Sequence, residues 1–115
     1  MYKINKVFAK PLHLDTLKPE IEVLISAIKE IMNPSKLFLF GSAVSGPFYE
    51  DSDFDLLLIF KSELEAGSSW RKFSHIRRVS KRSLDMISMS EDDFEKKKEI
   101  GGIAMIAKNE GRRLI

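Results

Sequence analysis

Apolar residues recur along this chain in two periods, and the switch between them marks out its elements. Between Pro19 and Pro34 the apolar positions Ile21, Leu24, Ile25, Ile28, Ile31 and Met32 follow at steps of three and four, the spacing of one helix face. Pro19 suits the first turn of such a helix and Pro34 its stop. Leu37, Phe38, Leu39 and Phe40 then make a short apolar strand that ends in Gly41-Ser42, where one helical turn can open. From Asp53 to Phe60 the period becomes two: Asp53, Asp55, Leu57 and Ile59 share one face, and Phe54, Leu56, Leu58 and Phe60 the other. Both faces are apolar beyond Asp55, which predicts a central strand with its two acids at the beginning.

The second half repeats these devices. Residues 61–69, with Gly67-Ser68-Ser69, read as a loop, and Trp70, Phe73, Ile76 and Val79 as the apolar side of a second helix, Trp70 in the core. Leu84, Met86 and Ser88 alternate with Asp85, Ile87 and Met89 in another short strand. Ser90 before Glu91, Asp92 and Asp93 is a helix cap, Gly101-Gly102 breaks that helix, and residues 103–109 resume it up to Gly111. Residues 112–115 suit an edge strand. The predicted fold class is α+β, or mixed α/β: three main strands plus a possible edge strand, with helices packed mainly on one side. The chain is expected to be one domain over residues 1–115, residues 1–19 being an N-terminal arm.

Composition narrows the chemistry. Hydrophobic residues make up 43% of the chain and charged residues 31%, a soluble globular balance. There is no apolar run of about 18 residues and no leader pattern, so neither a membrane span nor a signal peptide is expected, and the cytoplasm is the expected compartment. With no cysteine and two histidines, thiol chemistry is excluded and a zinc site disfavoured; a metal would have to use oxygen ligands. A net charge of +2 gives no argument for nucleic acid as a partner.

Asp53 and Asp55 point the same way on a strand, so they repel each other unless a cation lies between them. Magnesium suits the position: it takes oxygen ligands, few of them from protein, and completes its shell with water and substrate phosphates. Gly41 lets the backbone approach a ligand closely, and Ser42 adds a hydroxyl at a turn whose N–H groups attract anions. Asp85 opens its strand as Asp55 does. It reads either as a capping or ion-paired acid, with Arg82 as partner, or as a third ligand of the same metal. Arg71, Lys72, Arg77, Arg78, Lys81 and Arg82 are interleaved with the second helix's apolar positions. They read as a solvated face, or, at Arg77, Arg78 or Lys81, as a contact for phosphate or an acidic partner.

Gly41-Ser42, a spacer, Asp53-Phe54-Asp55-Leu56 and a later Asp85 together resemble the signature of the DNA polymerase beta-like nucleotidyltransferases. The length and the tail are similar to the minimal nucleotidyltransferase (MNT) branch, whose members are often paired with a HEPN-domain protein. The resemblance implies transfer of a nucleoside monophosphate from a nucleoside triphosphate, ATP being the expected donor, to an acceptor hydroxyl. Asp53, Asp55 and Asp85 would be the catalytic, magnesium-holding acids, and Gly41 and Ser42 would bind the nucleotide. The acceptor could lie on a partner protein, as for the antitoxin of a toxin–antitoxin pair, and a homo-oligomer is compatible with the sequence. Family members often read Gly-Ser-Arg-Ala-Arg-Gly at the turn; this chain reads Gly41-Ser42-Ala43-Val44-Ser45-Gly46, without either arginine. Two other readings stay open: an inactive MNT-like antitoxin that works by binding a HEPN-type toxin, and a nucleic-acid-binding or structural module using the Trp70 to Arg82 face.

Overall fold

The structure, a computed structural model, describes residues 11–115. The part of the expected N-terminal arm at residues 1–10 lies outside the described residues. Its remainder is built in: a 3-10 turn at Leu14–Leu17 buries Leu17, and Leu12 N–H donates to the Phe48 carbonyl at 2.6 Å.

Helix α1 runs over Lys18–Ile31, with Pro19 in its first turn and Ile21, Leu24 and Ile28 buried. Asn33 closes it at φ 51°, a left-handed position that asparagine tolerates, and Pro34 prevents continuation. Four strands follow: β1 at Lys36–Phe40, β2 at Phe54–Phe60, β3 at Leu84–Ser90 and the short β4 at Arg112–Arg113. The sheet order is β3-β2-β1-β4. β2 is interior, as its two apolar faces predicted, and pairs antiparallel with β1 and parallel with β3.

The alternation in β2 divides the core. Phe54, Leu56, Leu58 and Phe60 join Leu37 and Leu39 beneath α1, and Ile76 adds to this larger cluster from helix α4, Phe73–Val79. Leu57 and Ile59 face the opposite way, onto Phe94 of helix α5, Glu91–Lys97, and onto Ala104 and Ala107 of helix α6, Gly102–Glu110. The expected mixed α+β sheet with an edge strand is therefore present, its main core under α1 and α4 and a smaller one under α5 and α6. Ser90 caps α5 as its sequence predicted, accepting from the Asp93 N–H at 3.1 Å. Among the described residues no helix is long and apolar enough to cross a membrane.

Two expectations are corrected. Residues 61–69 are not a loop: Glu63–Ser68 form helix α3, because Ser62 accepts from the Glu65 N–H as an N-cap that Gly67-Ser68-Ser69 obscured. Trp70 is not in the core. It sits in a 3-10 turn, Ser69–Lys72, whose three-residue repeat shifts the phase of the following helix, and it is 63% exposed. Val79 is exposed as well, leaving Ile76 as the buried residue of α4.

Candidate active site

Parallel pairing of β2 with β3 brings the starts of both strands to the same end of the sheet, and the register sets Asp55 against Asp85. By alternation both lie on the α5/α6 face, beyond the apolar pairs that cover its middle. Asp53 lies just before β2 at the exposed rim. Burial pushes the Asp55 carboxyl above its ordinary value, and the Asp85 charge and then the Asp53 charge push it the same way, with Asp85 within hydrogen-bonding reach. The three acids thus form one electrostatic group.

The antiparallel pairing of β1 adds the turn. Phe40 is opposite Asp55, so Gly41 leaves the sheet directly beside that carboxylate. Its backbone has φ 74° and ψ −153°, a conformation open essentially to glycine. A Cβ at this position would overlap Asp55 Oδ2 and lie 3.1 Å from Asp55 Cγ. Helix α2 follows as a single turn, Ser42–Ser45, in which the Ser45 hydroxyl and N–H both donate to the Gly41 carbonyl at 3.0 Å. Gly41 and Ser42 therefore sit next to the acids.

Arg82 does not pair with Asp85, the ionic alternative drawn from sequence. Its guanidinium binds both carboxylate oxygens of Glu20 on α1, at 2.7 and 3.1 Å. It also donates to the carbonyls of Tyr49, Glu50 and Ser52, at 3.2, 2.9 and 3.0 Å. The same group stacks on Phe48 and Phe54, 4.8 and 5.0 Å from their centroids, and those two rings are themselves parallel at 5.4 Å. One side chain, 8% exposed, ties α1, the Tyr49–Ser52 turn and the start of β2 together. This is the feature that sequence reasoning missed: the partners lie 30 to 62 residues away and leave no local pattern.

Arg77, Arg78 and Lys81 were candidate phosphate contacts. α4 packs with α1 on the other face of the sheet from Asp55 and Asp85, and Lys81 borders a cavity shared with Glu20, Glu50 and Arg82. The structure does not gather them with the acids.

A model of the family described as "Polymerase beta, Nucleotidyltransferase" matches residues 22–110. The chain belongs to the polymerase beta nucleotidyltransferase family. No curated protein and no solved structure matches it. The region matched by the nucleotidyltransferase family takes in Gly41, Ser42, Asp53, Asp55 and Asp85 as well as Arg82.

A divalent cation fits the donor set. Among the described residues no group of three or more His, Cys, Asp or Glu side chains is placed to hold a metal ion. Magnesium does not require such a cage, because it keeps several waters and is commonly bound through one or two carboxylates and the substrate's phosphates. Asp55 and Asp85 would be that pair of carboxylates, with Asp53 at the rim.

Proposed function

We propose that this chain is a magnesium-dependent nucleotidyltransferase that moves a nucleoside monophosphate from a nucleoside triphosphate, ATP first among them, to an acceptor hydroxyl. The observation that carries this reading is the register of Asp55 against Asp85, with Gly41 pressed on Asp55. Asp53, Asp55 and Asp85 would hold magnesium, which supplies neutralising charge to the triphosphate and to the attacking and leaving oxygens.

The protein's own groups do the rest. The Gly41 turn admits a phosphate close to the backbone, and the Ser42 hydroxyl and the N–H groups opening α2 donate to it. Asp85, the most exposed of the strand-borne acids, faces an incoming hydroxyl and takes its proton. The acceptor oxygen bonds to the α-phosphorus, the bond to the bridging oxygen breaks, and pyrophosphate leaves. Arg82 keeps the turn before Asp53 fixed while this occurs. A polar, open rim of this kind suits an acceptor on a macromolecule, in the cytoplasm where triphosphates are available. The α5, Gly101-Gly102, α6 and β4 tail resembles MNT proteins, which makes a HEPN-domain protein the candidate acceptor and toxin–antitoxin pairing the candidate setting.

A second reading is an MNT-like antitoxin that masks a HEPN-type toxin by binding alone. Two observations favour it: residues 43–46 carry no arginine, and α4's cations lie on the opposite face. ATP labelled on the α-phosphate separates the two. On incubation with magnesium and a candidate acceptor protein, the transfer reading predicts label on that protein, lost in Asp85→Asn. Label that survives Asp55→Asn and Asp85→Asn alike would contradict it.

A further inference from the structure

We propose that the segment from Trp70 to Lys81 is a docking surface for single-stranded nucleic acid, separate from the acid site and independent of the transfer reading. Residues 70–82 hold six of the nineteen lysines and arginines and none of the seventeen acids, so the rest of the chain is acidic on balance. The modest net charge conceals this concentration. Arg82 is committed to Glu20 and the Tyr49–Ser52 turn, and Lys72 donates to the Ile31 carbonyl at 3.3 Å, but Arg71, Arg77, Arg78 and Lys81 are exposed.

The aromatic component distinguishes this face from an ordinary solvated one. Trp70 is 63% exposed, and the Arg71 guanidinium lies 5.7 Å from its centroid. Arg77 is placed similarly over Phe73, at 5.6 Å. A large exposed ring beside arginines offers a base a surface to stack on while cations meet the flanking phosphates. A duplex, with its bases already stacked, cannot use the ring in this way. Acidic peptides would satisfy the cations and leave Trp70 unused. α3, which precedes Trp70, carries exposed Glu63 and Glu65, so the strand is expected to run along α4.

Trp70 is the chain's single tryptophan, so its fluorescence reads this surface directly. The full chain would be titrated with oligo-U RNA and oligo-dT of about ten nucleotides, with a duplex of the same length and with polyglutamate. Saturable quenching by either single strand, with a log–log salt slope of roughly −2 to −3 for three to four phosphates met, is the expected result. The RNA and DNA arms tell which sugar is preferred, and a response to either supports the proposal. By anisotropy of a labelled oligonucleotide, Trp70→Ala should weaken binding by about tenfold. Arg77→Ala with Arg78→Ala, which keeps the fluorophore, should lower the salt slope by about 1 to 2. No quenching by either strand, or equal quenching by duplex or polyglutamate, would overturn the proposal.

Discussion

Gly41 and Asp55 are in contact across the β1–β2 pairing, and no side chain fits between them. Gly41→Ala meets two penalties, a backbone at φ 74° and an overlap with Asp55 Oδ2. The variant should lose about 1–3 kcal/mol of stability. In an Asp55→Ala background the overlap disappears and the backbone cost remains, so the same substitution should cost less. Denaturant unfolding of the four chains measures this. Equal costs in both backgrounds would mean that Asp55 yields freely.

The raised pKa of Asp55 makes the site a destabilising element. Its folded value lies above its unfolded one, so the protonated acid favours the fold. That contribution is complete below the ordinary aspartate range and is lost as pH rises through the folded value. Without divalent cations Asp55→Asn should therefore match the wild type in acid and exceed it in melting temperature at neutral pH. Magnesium should narrow the neutral gap by stabilising the wild type more than the variant. Melting curves across pH, with and without magnesium, give both comparisons.

Arg82 supplies the contacts that hold residues 49–52 to α1. Arg82→Met leaves Glu20 without its guanidinium and takes one donor each from the carbonyls of Tyr49, Glu50 and Ser52. A loss of about 3–5 kcal/mol is expected. Arg82→Lys should recover only a minor part, since one ammonium cannot reproduce the fork onto Glu20 and the carbonyls together. Glu20→Gln in the Arg82→Met background should cost little beyond it, because the ion pair is already broken and Glu20→Gln removes the charge that Arg82→Met strands there. Unfolding free energies of the single and double variants test that coupling.

Ser90 ends β3 and caps α5, whose Phe94 closes the smaller core. Ser90→Ala should cost about 1 kcal/mol. Ser90→Asp should preserve the cap. The comparison by thermal unfolding separates the cap from the buried position of the side chain.

These residues also show how far one-dimensional pattern reaches. The period-two run at residues 53–60 and the shorter one at residues 84–89 were readable as strands, and the acids at their starts as neighbours in kind. Period describes each strand locally, which is why β1, β2 and β3 emerged with their correct faces. It says nothing of register, and register is what sets Asp55 on Asp85 and Phe40 beside Asp55. Trp70 was assigned to the core because a three-residue step fits a helix face, yet it also fits a 3-10 turn, and only the surrounding elements decide. Arg82 was illegible for another reason: its energy comes from carbonyls and a carboxylate remote in the chain, and an isolated arginine in a basic run carries no mark of that.

The central claim is that the acids and the Gly41-Ser42 turn form one site for a metal-bound triphosphate. Calorimetric titration of ATP and magnesium into the purified chain, beside an Asp53→Asn, Asp55→Asn double variant, tests it most directly. The account predicts binding by the wild type that requires magnesium and is absent from the variant, whose fold is intact. Binding of equal strength by both proteins, or none by the wild type with ATP, GTP, CTP or UTP, would contradict it.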